Sequence, residues 1–184
     1  MKYYHEDLAM DVPDGVYYPR EDTRLLARIL EQQELAGKKI LEIGCGSGML
    51  SIIAAKKGAI VVAVDADINA IKAASANAAA NKAKIRLIQS DLFQNISGTF
   101  DMIFFNPPYL PDESHEMAYS GGPSGRKVVE KFIAAAKPFL KPGGKILLLI
   151  SSLTVELFGK NGFSAEVESR KKIPWEELIV VEAK

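Results

Sequence analysis

Residues 101–112 read DMIFFNPPYLPD, an apolar run that stops at Asn106-Pro107-Pro108-Tyr109. Proline has a fixed φ and no N–H, and it pushes the residue before it toward an extended conformation. The stretch therefore presents acceptors without ladder partners: the Asn106 side-chain oxygen and the Pro107 main-chain carbonyl, with the flat ring of Tyr109 beside them. Two such acceptors grip a planar –NH2 group by both hydrogens. Taken alone, the same four residues also make a stiff loop that ends a strand.

A second group lies upstream. EIGCGSGM carries Glu42, Gly44, Gly46 and Gly48, and glycines there let the backbone turn tightly and approach a ligand with no Cβ in the way. A dinucleotide fingerprint would need its third glycine at position 49, which is Met49. Asp65, at the end of the next apolar run, is suited to accept hydrogen bonds from both hydroxyls of a ribose, and a charged acceptor makes such bonds strong. A tight turn and a helix-capping acid explain each feature singly. Together they favour a nucleotide-like ligand.

The elements that must position these groups alternate. KKILEIG (38–44), IVVAVD (60–65), KIRLIQSD (84–91), FDMIFFN (100–106) and GKILLLIS (144–151) read as strands. Helical spacing occupies 21–33, 47–58, 66–82 and 126–140. Strands apolar on both faces and separated by helices imply a mostly parallel sheet covered on both sides. The tail, 163–183, reads as two antiparallel edge strands joined by a turn containing Pro174. In such a sheet, ligands bind beyond the carboxyl ends of the strands, where Gly44–Gly48, Asp65, Asp91 and Asn106 fall.

The totals narrow the function. Lys+Arg and Asp+Glu are 23 each, so no overall charge draws the chain to nucleic acid or an anionic membrane. The single Cys45 excludes an internal disulfide and fits a reducing, cytoplasmic setting, and with only two histidines no cysteine/histidine metal cluster is expected. No segment approaches the roughly 20 apolar residues that span a bilayer. One domain over 1–184 is expected, with 1–37 as a helical extension.

The spacing E-x-G-x-G-x-G at Glu42, Gly44, Gly46 and Gly48 resembles the first motif of class I S-adenosylmethionine-dependent methyltransferases. Asn106-Pro107-Pro108-Tyr109 resembles the motif of members that act on planar nitrogens: glutamine side chains, adenine N6 and some guanine N2 atoms. GVYYPREDTRLL (15–26) and YSGGPSGRKVVEKFI (119–133) are similar to segments of HemK-type protein glutamine methyltransferases.

That resemblance implies an α/β Rossmann-like fold with a mostly parallel seven-stranded sheet and antiparallel C-terminal edge strands. It implies S-adenosyl-L-methionine as cofactor. The cofactor pocket would be formed by Tyr18, Pro19, Glu21, Asp22, Thr23, Glu42, Gly44, Gly46, Gly48, Asp65, Ala66, Asp91, Leu92 and Asn106, and the catalytic set would be Asn106, Pro107 and Tyr109. Acids in a first helical turn also suit the helix dipole, which is the plainer reading of Glu21 and Asp22.

Gly121, Gly122 and Gly125 match the family's G-G-x-x-G pattern. The implied substrate is the Gly-Gly-Gln glutamine of a peptide chain release factor. The alternatives are an exocyclic amine of adenine or guanine, and a protein lysine. The short stretch before the first strand resembles the archaeal and eukaryotic branch, whose members commonly pair with a small zinc-binding activator. Here such a partner would dock at the edge strand near Ile85, Leu87 and Ile88. His115, Tyr119 and Trp175 are expected to be ordinary loop or packing residues.

Overall fold

The computed structural model describes residues 1–107, 127–151, 157–173 and 176–184. Tyr109, Pro108, His115, Tyr119, Gly121, Gly122, Gly125, Pro174 and Trp175 lie outside the described residues. Seven strands, β3 (Lys39–Ile43), β4 (Ile60–Asp65), β5 (Ile85–Gln89), β6 (Phe100–Phe105), β7 (Leu140–Ser151), β8 (Ala165–Ile173) and β9 (Glu176–Ala183), form one sheet. Their order across it is β5-β4-β3-β6-β7-β9-β8. The pairs from β5 through β7 are parallel, and β9 runs antiparallel to both β7 and β8. The expected mostly parallel sheet with antiparallel C-terminal strands is therefore the observed one.

Both faces are covered, as two-sided apolar strands require. Ile40, Val61, Ala63, Met102 and Phe104 face α1 (Glu21–Gln32), α2 (Met49–Lys56) and α3 (Ile68–Ala80), where Leu26, Leu30, Ile52 and Ala74 are fully buried. Leu41, Ile43, Val64, Ile103 and Phe105 face α4 (Lys127–Ala136), where Phe132 and Ile133 are fully buried. Side chains alternate across a strand, so Glu42 points to the first of these faces, beneath α2. Asp67 caps α3, its side chain accepting from the Asn69 N–H at 2.8 Å.

Three local departures have physical causes. The first eleven residues are not helical: β1 (Lys2–His5) and β2 (Leu8–Asp11) form an antiparallel hairpin before α1. Tyr3, Leu8 and Met10 are its buried side chains, alternating with exposed ones. Helix α4 stops at Ala136 because Pro138 lies in a short 3-10 turn. Strand β7 begins at Leu140 rather than Gly144, pairing with Phe100 before the register jumps from Phe100↔Leu140 to Met102↔Lys145. Among the described residues no helix is long and apolar enough to cross a membrane.

Candidate functional site

Strands β5, β4, β3 and β6 lie side by side and parallel, so the residues just past their carboxyl ends form a continuous row. β3 sends the chain to β4 on one side and borders β6 on the other, the switch point at which open α/β sheets bind ligands. Gly44, Gly46 and Gly48 follow β3 with φ of 66°, 51° and 84°, a left-handed region costly to other residues. A Cβ on Gly44 would meet the Phe105 ring at 3.0 Å, and one on Gly48 would meet Ala74 Cβ at 3.0 Å. A Cβ on Gly46 would meet nothing within 4 Å. Gly46 is therefore the one of the three that faces open space.

Asp65 locks this loop to the next strand. Its Oδ2 accepts from the Gly46 N–H at 2.9 Å and its Oδ1 from the Asp67 N–H at 3.0 Å. Burial pushes the Asp65 carboxyl above its ordinary range. Glu42 is almost fully buried beneath the loop, and burial raises its pKa to about 8, with the Ser51 hydroxyl, which donates to Oε2, opposing the shift. Asn77 ties three elements together: its amide accepts from the Asp11 N–H at 2.8 Å and donates to the Asp11 carbonyl at 2.9 Å and the Ser47 carbonyl at 2.8 Å. The N-terminal hairpin is thus fastened through α3 to the glycine loop.

Beyond β5, Leu92 adopts a positive φ of 48°. The turn is held by Ser90, whose hydroxyl donates to the Leu92 carbonyl and accepts from the Asn95 N–H, both at 3.0 Å. Asp91 is exposed there, and the Ala66 carbonyl accepts from Gln89 at 3.0 Å.

At β6, Asn106 Nδ2 donates to Asp22 Oδ2 at 3.1 Å and to Thr23 Oγ1 at 3.4 Å. Asn106 Oδ1 is buried and has no hydrogen-bond partner among the described residues. Buried acceptors are nearly always paired, so an unpaired one at the head of a strand marks a place for a ligand donor. Asp22 and Thr23 are both buried.

The structure does not bring every expected pocket residue to this point. Glu21 is half exposed and pairs with Arg24 and Lys171, a pairing that holds its carboxyl below the usual range. Tyr18 packs edge-on against Tyr3, with ring centroids 5.2 Å apart, and donates to the Lys2 carbonyl. Pro19, which follows Tyr18 in the chain, is buried. Two participants were not singled out from sequence: Tyr17, whose hydroxyl donates to Asp22 Oδ2 at 2.7 Å, and Asn77. Tyr17 is one residue from the expected Tyr18, and only the entry angle of the chain into α1 decides which ring turns inward.

What the donor set can hold is legible from its shape. An open approach over Gly46, an anchored acid at Asp65 and an unpaired acceptor at Asn106 fit a ligand with a ribose beside a reacting planar nitrogen. The family model described as "Methyltransferase small domain" matches residues 19–156. A Methanocaldococcus jannaschii protein, provisionally named a protein N5-glutamine methyltransferase, is 41% identical, covering 97% of this chain and 96% of its own. The release factor glutamine methyltransferase of Lactococcus lactis is 35% identical over 78% of this chain and 59% of its own. In solved structures, Mtq2 of E. cuniculi, from its complex with Trm112 responsible for methylation of the eRF1 termination factor, superposes with TM-score 0.77 at 26% identity, covering 92% of this chain and 98% of that one.

Proposed function

The chain belongs to the methyltransferase small domain family, and from that premise we propose that it methylates the side-chain nitrogen of a protein glutamine, the Gly-Gly-Gln glutamine of a peptide chain release factor. The observation that carries the reading is the buried Asn106 Oδ1, which has no hydrogen-bond partner among the described residues. When bound, S-adenosylmethionine supplies an electrophilic methyl on a positively charged sulfur. Gly46 and Asp65 would hold that cofactor, and Glu42 supports the loop from below.

Asn106 Oδ1 and the Pro107 carbonyl accept the two N–H groups of the substrate amide. An amide nitrogen is a poor nucleophile because its lone pair is delocalised. Holding both hydrogens in fixed acceptors favours rehybridisation and points the lone pair at the methyl, so catalysis is positioning and electrostatics. The cofactor would supply the methyl group to that lone pair, and the methylated nitrogen would then give up one hydrogen as a proton to water. A lysine ammonium would need a base before transfer, and Asn106 offers an acceptor, not a base. A nucleobase amine fits the same acceptors, but a chain of zero net charge lacks the cationic surplus that backbone affinity is built from.

We read 1–184 as one methyltransferase domain whose residues 1–37 complete the pocket. A small zinc-binding activator pairs along β5. Both outer strands are edges, but β8 is guarded by exposed Glu166, Glu168, Arg170 and Lys172 and a register shift between Val167 and Ser169. β5 carries only one charged residue, Arg86, among half-buried Ile85, Leu87 and Ile88. Undefended edges invite another strand.

The test offers labelled S-adenosylmethionine with a release factor bearing Gly-Gly-Gln, its Gln→Ala variant, and duplex and single-stranded DNA, with and without an activator. Label on the wild-type factor alone is expected. Label on DNA would overturn the substrate class.

A further inference from the structure

Asp22 is the second residue of α1 and is 3% exposed, yet no Lys, Arg or His pairs with it among the described residues. Its Oδ1 accepts from the Thr23 N–H at 2.7 Å and from Thr23 Oγ1 at 3.3 Å. Its Oδ2 reaches out of the helix, to the Tyr17 hydroxyl at 2.7 Å and to Asn106 Nδ2 at 3.1 Å. One oxygen therefore serves the helix start, where the dipole favours an acid, and the other serves a residue 84 positions away. Thr23 closes the ring, donating to Asp22 while accepting from Asn106 at 3.4 Å.

Resting on the glutamine reading above, we infer that Asp22, backed by Thr23 and Tyr17, is a positioning residue that sets which face of the Asn106 amide meets the substrate. A primary amide has two nearly isosteric orientations, differing by a half-turn that exchanges its acceptor for its donors. Two acceptors stand on the α1 side of Asn106, the Asp22 oxygen and the Thr23 hydroxyl oxygen. The atom facing a carboxylate oxygen at 3.1 Å must be the donor, since oxygen against oxygen would lose a charge-assisted bond and add lone-pair repulsion. Oδ1 is thereby fixed forward, unpaired among the described residues. In the opposite orientation the –NH2 group would meet the substrate's own –NH2, donor against donor, and the amide could not be held. Asp22 thus acts on the reaction through Asn106 rather than on the cofactor.

The test is a set of variants read by kinetics, cofactor binding and side-chain amide spectra. Asp22→Asn keeps the shape but replaces a pure acceptor with a group that can also donate, releasing the orientation. Misplacing a reacting group costs about 10²-fold, so kcat on the release factor should fall by about that factor, with S-adenosylmethionine Kd unchanged. In Asn106→Asp the two carboxylates meet and activity is lost. The double variant Asp22→Asn/Asn106→Asp should be more active than Asn106→Asp. There the carboxylate introduced at position 106 accepts through both oxygens, and the amide introduced at position 22 can donate to one of them.

In wild-type protein the Asn106 Nδ2 protons, held by Asp22 and Thr23, should be protected from exchange, and Asp22→Asn should abolish that protection. The inference is overturned if Asp22→Asn retains wild-type kcat, if its cofactor affinity falls as far as its kcat, or if the double variant is no better than Asn106→Asp. If the wild-type enzyme labels no Gly-Gly-Gln glutamine while the Asn106 protection depends on Asp22, the substrate reading falls and the positioning stands.

Discussion

Glu42→Gln should change how stability responds to pH. The carboxyl lies 2% exposed beneath the glycine loop. Burial, with a smaller contribution from the nearby Asp65 charge, lifts its pKa from an ordinary 4.5 to about 8 against the opposing Ser51 hydrogen bond. Between those values the folded protein holds a proton that the unfolded chain has released. The unfolded state binds fewer protons, so stability falls as pH rises through the window. A difference of one bound proton across this window lowers stability by roughly 2–3 kcal/mol between pH 5.5 and 7.5. For a chain of this size that moves Tm by roughly 4–12 °C.

Glutamine mimics the protonated acid and still accepts from Ser51, but it cannot titrate. Thermal and urea unfolding of both proteins at pH 5.5, 6.5 and 7.5 gives the comparison, and groups common to both cancel in the difference. The variant should gain on the wild type by on the order of 1 kcal/mol per pH unit. Parallel curves would refute the reasoning, because they would mean that Glu42 carries the same charge folded and unfolded.

Other perturbations separate the roles of neighbouring residues. Gly48→Ala places a Cβ 3.0 Å from Ala74 Cβ and 3.1 Å from its Cα, so unfolding should show a loss of about 2–4 kcal/mol from strain and overpacking together. Gly46→Ala meets nothing within 4 Å; the stability loss should be only about 1–2 kcal/mol, while calorimetry should find S-adenosylmethionine affinity reduced more than about tenfold, or about 1.4 kcal/mol. Asn77→Ala removes three hydrogen bonds joining the hairpin, α3 and the glycine loop. At about 1 kcal/mol each, the loss should approach 3 kcal/mol, and hydrogen exchange should show the amides of 2–11 losing protection first.

The sheet was legible because its signal is redundant. The parallel strands are runs rich in β-branched, aliphatic and aromatic residues, and the polar Asp65, Asp91 and Asn106 fall at or just past the carboxyl ends of three of them, where such a sheet binds ligands. The hairpin was not legible because its turn, His5-Glu6-Asp7-Leu8, has no glycine: Glu6 takes a positive φ of 49° without the usual signature. Its alternation of Tyr3, Leu8 and Met10 was present but short. In the site, residue types identified Asn106 and the acids after Tyr17, but not their partners. That Asp22 turns inward while Glu21 turns out to Lys171 depends on the phase of α1 against β6 and β8, which only tertiary packing sets. Asn77 gave no warning at all, since an asparagine in an alanine-rich helix reads as a surface residue until the hairpin is laid against it.

Methyl transfer to a glutamine nitrogen should be centred on Asn106. The direct measurement is fragment-ion mass spectrometry of the Gly-Gly-Gln peptide after incubation of the release factor with S-adenosylmethionine and either wild-type enzyme or Asn106→Ala, the activator being present in both. The wild type should add the mass of one methyl group to the glutamine side chain, and Asn106→Ala should add none while binding the cofactor with unchanged Kd. Modification of any other residue, or an Asn106→Ala enzyme as active as the wild type, would contradict the account.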